Sequence, residues 1–272
     1  MKYFYGLSLL ILILLFLVGS SFPDTNLHVI ACDVGQGDGI LITMKSTQIL
    51  IDGGPNNKIL NCLSRHMPFW DKDIELVVLT HPDADHSTGL VDVFQNYTVD
   101  TFVGEQVDAS TKIYQLLKKT VGGSTAKLII PHTGLKLGTS PMSLDVLHPA
   151  LGFQTPGTNN YSVTIALHYK NFSGLFTGDL EDKVVKLEDT GLLTQMTYLK
   201  VPHHGSKNGL TQELLDAVSP KIAVISAGKN NVYGHPHQEI LTMLQQKGVQ
   251  VERTDLKGDV EVISDGTTWW LK

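Results

Sequence analysis

The stretch from Thr80 to Gly89 carries four potential metal ligands within six positions. They are His81, Asp83, Asp85 and His86. The mostly apolar run Ile74–Leu79 precedes them and is typical of a buried strand, which Pro82 would end. Alternate residues of an extended segment point in opposite directions, so the first two ligands can hold one ion and the last two another. Because four such side chains rarely meet by chance, we interpret the stretch as a metal site rather than a polar surface turn.

Further motifs accompany this cluster. His81-Pro-Asp83-Ala-Asp85-His86 resembles the H-x-[HD]-x-D-H signature of the metallo-β-lactamase-fold hydrolases. With Asp83 in place of the more usual second His, it is similar to the hydrolase domain of the ComEC-type competence proteins, and to choline-phosphate esterases of related type. The other matching pieces are Asp33-Val-Gly-Gln-Gly-Asp38, Asp52-Gly-Gly54, Thr177-Gly-Asp179, His203-His204-Gly-Ser206 and Tyr233-Gly-His235-Pro236. Together the motifs are very specific, whereas singly only the 81–86 cluster is.

The fold class follows from the pattern and from the resemblance. Strand clusters with helices at intervals, repeated in two halves, indicate an α/β protein with two packed sheets and helices outside. The resemblance implies a four-layer αββα sandwich of the metallo-β-lactamase type, formed by a hydrolase domain over residues 27–272. A Gly-rich turn at 35–37 indicates a close approach of the backbone to another group, with a simple tight hairpin as the alternative. The predicted helices cover 57–66, 87–94 (capped by Ser87), 111–120, 181–189, 210–218 and 237–247.

The resemblance assigns roles to the later motifs. Asp179 follows the end of an apolar strand. The resemblance implies that it is the ligand that bridges two ions, although it can also cap the predicted 181–189 helix. One of His203 and His204 is expected to complete the second ion. Neighbouring residues diverge, so we do not expect both to hold the same ion. We favour His203 as the ligand and expect the other to contact substrate or carry protons. Asp52 is expected to support the ligands by hydrogen bonding rather than to bind metal.

The resemblance implies a further ligand histidine about nineteen residues before Asp179. The chain instead has Asn159-Asn160 at that position. We treat Asn160 as a weak ligand or a holder of water, and His148 as a structural or rim residue. With Asp83 and Asn160 replacing two imidazoles, the site is rich in oxygen, so Mn²⁺ competes with Zn²⁺ for it. The expected cofactors are two divalent metal ions, either Zn²⁺ or Mn²⁺.

Such a pair of ions is suited to hydrolysing a phosphodiester. It lowers the pKa of a water and clamps a displacement at phosphorus, so no Ser or Cys nucleophile is needed. Asp85 and His235 are the predicted catalytic residues, Asp85 as a ligand and His235 as a proton donor to the leaving group. Ser206 and Lys207 are expected to receive phosphate oxygens, with a solvated loop as the alternative for Lys207.

The N-terminal residues 1–26 are distinct from the domain. Lys2 precedes an apolar stretch at 3–18, and small residues follow at 19–21, which is typical of a secretory signal peptide. An uncleaved membrane anchor is the alternative, and both predict a domain outside the cytoplasm. The two cysteines, Cys32 and Cys62, do not predict a disulfide framework, and we expect Cys32 to be a buried core residue.

Three functions compete at this stage. The first is an exported phosphodiesterase or DNase acting on single-stranded or short DNA, linked to DNA uptake through a separate channel partner. The second hydrolyses another exported phosphoester, of the phosphocholine or teichoic-acid type. The third is a non-catalytic binding module stabilised by metal. The net charge of −6 disfavours a pure polyanion binder, and the complete set of carboxylates favours an enzyme.

Overall fold

The computed structural model describes residues 22–104, 111–138 and 140–272. The apolar stretch at 3–18, predicted to be a signal peptide or an anchor, lies outside these ranges. Within them, no helix has the length and apolar character needed to cross a bilayer.

Two β-sheets form the centre of the domain. The first contains β1 (Leu27–Ala31), β2 (Ile40–Met44), β3 (Thr47–Ile51), β4 (Asp73–Leu79), β5 (Thr98–Gly104), β6 (Lys127–Ile129), β14 (Val260–Ser264) and β15 (Trp269–Leu271), in the order β15-β14-β1-β2-β3-β4-β5-β6. The second contains β7 (Lys136–Leu137), β8 (Met142–His148), β9 (Thr164–Tyr169), β10 (Phe172–Phe176), β11 (Tyr198–Lys200), β12 (Ile222–Ile225) and β13 (Gln250–Arg253), in the order β13-β12-β11-β10-β9-β8-β7.

Helices cover the outer face of each sheet. They are α1 (Lys58–His66), α2 (Ala84–Asn96), α3 (Lys112–Gly122), α4 (Gln212–Val218), α5 (Gln238–Gln246) and the short α6 (Thr254–Lys257). Three buried clusters define the layers. Alternate residues of the strands, such as Val29 and Ile165, pack between the sheets. Leu63 and Leu90 pack on the outside of the first sheet, and Leu214 packs on the outside of the second. The predicted αββα sandwich is therefore confirmed.

The direction of the strands determines where a site can form. Strands β3 to β6 run parallel to one another in the first sheet, and β10 to β13 do so in the second. The loops after the carboxyl ends of parallel strands emerge at the same edge of a sheet, where α/β proteins bind ligands. The predicted metal ligands lie in these loops.

Two predicted helices differ from the structure. The helix expected to be capped by Ser87 begins at Ala84 with Asp83 as its N-cap, and the buried Ser87 hydroxyl donates to the carbonyl of Pro82. The predicted helix 181–189 is wrong: this segment forms turns and a 3₁₀ helix at Leu187–Thr190. The buried Asp182 carboxylate accepts hydrogen bonds from the backbone of Leu187 and the hydroxyl of Thr211, which favours an irregular path over a helix.

The cysteines also differ from the prediction. Cys32 is buried, as expected, but it forms a disulfide with Cys62, which lies 30 residues along the chain. Helix α1 packs on the outer face of the first sheet and so places Cys62 beside the end of β1, with the two Cα atoms 5.8 Å apart. This pairing depends on tertiary packing, so two isolated cysteines in a sequence do not reveal it.

Candidate metal centre

The predicted ligands converge at the carboxyl ends of parallel strands from both sheets. Asp52 follows β3, His81 follows β4, Asp179 follows β10, and His204 follows β11. The first turn of α2 adds Asp85 and His86. The first and second halves of the chain therefore both supply side chains to one cluster.

Four of these side chains form a compact group. In Asp85, His86, Asp179 and His204, one ligand atom of each lies within 4.8 Å of the others. The Nε2 atom of His86 is 3.2 Å from Oδ1 of Asp179, and that of His204 is 3.1 Å from Oδ2 of Asp179. Asp85 Oδ2 lies 3.5 Å from His204 Nε2. Since the other three are buried, the partly exposed Asp85 side chain forms the open side of the group.

A second pair of ligands adjoins this group. The Nε2 atom of His81 lies 3.7 Å from Oδ2 of Asp83, and the ring of His81 is 4.2 Å from that of His86 between centroids. The hydroxyl of Thr158 donates to Oδ1 of Asp83 over 2.7 Å and so turns the other oxygen towards His81. The pair and the four-atom group are thus neighbours in the fold.

Hydrogen bonds set the tautomers of two imidazoles. His86 Nδ1 lies 2.7 Å from Oδ2 of the buried Asp52, whose Oδ1 accepts from the backbone of Thr80. His204 Nδ1 donates to the carbonyl of Ser226 over 3.0 Å. A proton held on Nδ1 leaves a lone pair on Nε2, which is the tautomer that a metal requires.

The polar atoms at the centre lack partners. Among the described residues, Nε2 of His81, His86 and His204 and Oδ1 of Asp179 are buried without a hydrogen bond. Buried polar atoms are normally hydrogen-bonded, because an unpaired one loses its hydration without compensation. The imidazoles of His86 and His204 and the carboxylate of Asp179, which lie together in the four-atom group, therefore fit a divalent cation.

The electrostatics of the group also favour positive charge. Burial alone would lower the pKa of His86, but the carboxylates of Asp179 and Asp52 outweigh it and raise that pKa well above its usual value. Burial likewise would raise the pKa of Asp179, yet His204 and His86 hold it well below its usual range. The Asp179 carboxylate therefore stays ionised, and its negative charge attracts cations.

Two glycines allow loops to close on the first turn of α2. A Cβ atom on Gly53 would lie 2.5 Å from the backbone nitrogen of Leu90, and Gly53 itself donates to the carbonyl of His86. A Cβ atom on Gly37 would overlap the carbonyl of Asp85, which accepts from the backbone of Asp38. The close approach predicted for the Gly-rich turn is confirmed, and its neighbour is the metal cluster.

The two adjacent histidines take different places. Their backbones are both left-handed, with φ of 50° at His203 and 54° at His204. His204 is buried and points into the four-atom group, whereas Nε2 of His203 lies 3.7 Å from Asp179 and its Nδ1 faces Glu181 at 3.6 Å. The geometry thus favours His204 as the ligand, in place of the His203 that we preferred from the sequence.

Asn160 and His148 lie beside the cluster. Asn160 is buried, and its Oδ1 accepts from the backbone of Glu181 over 3.4 Å. His148 Nε2 donates to the backbone carbonyl of Asn160, and its ring packs on Phe153. His148 therefore supports the Asn160 loop.

The residues predicted to hold phosphate lie on the rim. Ser206 is buried and its hydroxyl accepts from the backbone of Asn208, while the side chain of Lys207 is exposed. The half-buried His235 ring lies 6.3 Å from that of His204. Burial and the neighbouring His204 and His203 lower the pKa of His235 to about 4, so this imidazole is neutral near pH 7.

Sequence reasoning missed several supporting residues. They are Thr80 and Ser162, whose hydroxyls contact His81 Nδ1 at 3.1 and 3.4 Å, Thr158, and the buried Lys200. Only Lys200 left a signal, since a lysine that ends the buried strand Tyr198–Lys200 needs a buried partner.

Comparison with known proteins identifies the family. The sequence model described as Metallo-beta-lactamase superfamily matches residues 32–229, which contain the whole four-atom group and the adjoining pair. The chain belongs to the metallo-beta-lactamase superfamily. Superfamily members are generally metal-dependent hydrolases, in agreement with the cluster of ligands described above.

Curated relatives of this superfamily member are ComEC-type competence proteins, which confirms the resemblance. ComE operon protein 3 of Bacillus subtilis is 29% identical over 255 residues, which cover 84% of this chain and 32% of the relative. Recombination protein 2 of Haemophilus influenzae is 29% identical over 234 residues, 85% of this chain and 28% of the relative. The chain thus spans about a third of the length of these relatives.

A solved structure agrees on the fold. The metallo-beta-lactamase fold protein YhfI from Bacillus subtilis matches with a TM-score of 0.59 and 13% identity, covering 90% of this chain and 100% of that one. At 13% identity this match supports the fold of the chain and carries no argument about its activity.

Proposed function

We propose that this hydrolase is a dinuclear-metal phosphodiesterase that cleaves single-stranded or short DNA outside the cytoplasm. The observation that carries the proposal is a pair of adjoining ligand groups, which touch through the rings of His81 and His86, 4.2 Å apart between centroids. One group is His81 with Asp83, and the other is Asp85, His86, Asp179 and His204. When bound, two divalent ions, Zn²⁺ or Mn²⁺, supply a water nucleophile at neutral pH and neutralise a phosphodiester.

The chain's own residues have separate roles in this proposal. His81 and Asp83 would hold one ion, and Asp85, His86, Asp179 and His204 would hold the other. Asp52 and the carbonyl of Ser226 keep the imidazoles in the ligating tautomer.

The rim of the cluster would receive the substrate. Asp85 is the most open ligand of the group, with 34% of its side chain exposed, so a phosphodiester would enter from its side. His235 and Lys207 would contact the phosphate, His235 as a neutral hydrogen-bond donor and Lys207 as a flexible positive charge. Ser206 supports this loop from beneath.

The choice of DNA is supported by the relatives. Competence proteins act in DNA uptake, as the name Competence protein ComA of a Neisseria gonorrhoeae relative (24% identical) indicates. We propose a separate channel partner for the passage of DNA through the membrane.

The disulfide supports a location outside the cytoplasm, and a cluster of exposed aromatic side chains supports a nearby membrane surface. Disulfides such as Cys32–Cys62 persist in oxidising compartments. Exposed aromatic side chains lie where residues 1–21 join the domain: the ring of Phe22 is 5.4 Å from that of Trp70, which contacts Phe69. Aromatic residues of this kind favour the membrane interface. Strand β4 begins near Trp70 and ends about 20 Å away at the metal cluster, so a tether would leave the site facing away from the membrane.

The test is turnover together with metal content. The protein loaded with Mn²⁺ or Zn²⁺ should hydrolyse bis-p-nitrophenyl phosphate and a single-stranded oligonucleotide. Replacing Asp85 or His86 with Ala should abolish hydrolysis and reduce bound metal, while Asp92→Ala on the same helix should retain both. Metal binding without turnover of any phosphodiester would favour the binding module. Turnover confined to phosphocholine or teichoic-acid diesters would favour the alternative in which the enzyme hydrolyses an exported phosphoester other than DNA.

A further inference from the structure

A row of three aromatic rings leads from the metal cluster to solvent. The rings of His204 and His235 are 6.3 Å apart and inclined by 29°, and those of His235 and Tyr233 are 5.7 Å apart and inclined by 24°. Tyr233 is 62% exposed at the outer end of the row. We propose that Tyr233 is a stacking subsite for a nucleobase next to the phosphate held at the cluster, so that the substrate class is single-stranded nucleic acid; this rests on the proposed function.

The loop that carries Tyr233 is pre-organised by one side chain. Asn231 Oδ1 accepts from the backbone nitrogens of Tyr233 and His235 over 3.2 and 3.0 Å. Its Nδ2 donates to the carbonyls of Gly228 and His235 over 2.9 and 2.6 Å. A loop fixed before binding loses less conformational entropy when a ligand arrives, which favours its use as a platform.

The loop is also fastened to the metal centre. The backbone of Gly228 donates to Oε1 of Gln36 over 3.0 Å, within the Gly-rich turn whose next glycine packs on Asp85. The platform and the ligands therefore keep a constant separation, which a subsite beside a scissile phosphate requires.

The chemistry of the platform suits a base in a single strand. An exposed aromatic face stacks on any base, and such stacking tolerates different sequences. A duplex hides its base faces, so only unpaired nucleotides can reach Tyr233. The exposed Lys207 and Lys229 follow His204 and precede Tyr233 by a few residues along the chain, and they are the positive charges that we expect to contact the phosphate backbone in a protein whose net charge is −6.

Binding and turnover must be measured separately to test the subsite. We would compare two fluorescent phosphorothioate decamers of equal charge, one of thymidylate and one without bases, by anisotropy on the metal-loaded full chain. Wild type should bind the thymidylate decamer about 10-fold more tightly, and Tyr233→Ala should remove most of that difference. Tyr233→Phe should keep it because the ring remains. Val232→Ala, at a neighbouring side chain that is 92% exposed, is the matched control and should also keep it.

The outcomes separate the subsite from the hydrolase. If Tyr233→Ala binds thymidylate as tightly as wild type, the subsite is wrong, even where the protein cleaves DNA. If base-dependent binding disappears in Tyr233→Ala but no phosphodiester is hydrolysed, the subsite stands and the hydrolytic function fails. If Tyr233→Ala loses binding only to a choline phosphodiester, whose cation also stacks on tyrosine, the assignment to nucleic acid is overturned.

Discussion

The ammonium group of Lys200 lies 2.5 Å from Oδ2 of Asp38, and both side chains are fully buried. The other oxygen of Asp38 is 3.4 Å from Nδ1 of His204, so this ion pair borders the metal cluster. Burial would raise the pKa of Asp38, but Lys200 and then His204 hold it well below its usual range. Lys200 therefore keeps a negative charge behind a candidate ligand.

Removing this lysine should be strongly destabilising. We expect Lys200→Met to lower the free energy of unfolding by about 3–5 kcal/mol, because Asp38 would remain buried without its counter-charge. Urea unfolding followed by circular dichroism would measure the loss, with the exposed Lys183→Met as the control. A loss below about 1 kcal/mol would show that Asp38 finds another partner.

The distance between such partners along the chain explains what sequence reasoning could find. The four ligands at 81–86 are local, so their spacing after a buried strand is visible without a fold. Lys200 and Asp38 are 162 positions apart and meet only when the two sheets pack. The Cys32–Cys62 pairing likewise depends on the packing of α1.

The neighbouring histidines show a different limit. Their types and positions predicted that one would enter the cluster, but the choice depends on backbone angles. Both residues adopt the left-handed conformation, which side chains other than glycine rarely take, and this turn buries His204 against Ser226. The sequence gives no sign of that turn beyond the Gly205 that follows it.

The disulfide should contribute measurably to stability. Cross-linking residues 30 positions apart reduces the entropy of the unfolded chain by an amount worth about 3.5 kcal/mol. We expect a reductant to lower the Tm of the wild type by about 10 °C in calorimetry. Cys32→Ala with Cys62→Ala should start near the lower Tm and not respond to reductant. An equal response of both proteins would mean that the reductant acts elsewhere, for example on bound metal.

A histidine away from the metal centre should make stability depend on pH. His28 lies 2.7 Å from Glu261 and 2.9 Å from Asp24. Burial would lower the pKa of His28, but the hydrogen bonds that it donates to these two carboxylates outweigh burial and raise that pKa above its usual value of 6.5. A raised pKa stabilises the fold below pH 6.5, and this contribution fades as the pH rises through the folded-state value.

Replacing His28 should therefore matter more in acid than in alkali. We expect His28→Gln to lower the free energy of unfolding by about 1 kcal/mol at pH 6 and by much less at pH 9. The loss at pH 6 is small because the pair with Asp24 is partly exposed and screened by solvent. Urea unfolding at both pH values measures this, and Asp24→Asn should show a smaller change of the same sign. An equal loss at both pH values would mean that His28 acts through packing alone.

Asp83 sets the last expectation, which concerns the choice of metal. Its Oδ2 faces His81, and it is a hard anionic donor where related sites have an imidazole. Asn160 occupies the place where the resemblance implies another histidine, and its side-chain oxygen already accepts a hydrogen bond from the backbone of Glu181. Fewer nitrogen ligands weaken the preference for Zn²⁺, which otherwise exceeds Mn²⁺ in intrinsic affinity.

We therefore expect Mn²⁺ to restore hydrolysis by the metal-free protein better than Zn²⁺, and Asp83→His to shift that preference towards Zn²⁺. The ratio of the two dissociation constants, measured by competition with a chelating dye, should move in the same direction by about 10-fold, because a softer ligand favours the softer ion. Asp83→Asn is the control, since it keeps an oxygen donor while removing the charge, and should weaken both ions without reversing their order. If wild type works best with Zn²⁺ and the Asp83→His ratio is unchanged, ligand softness does not choose the metal at this site.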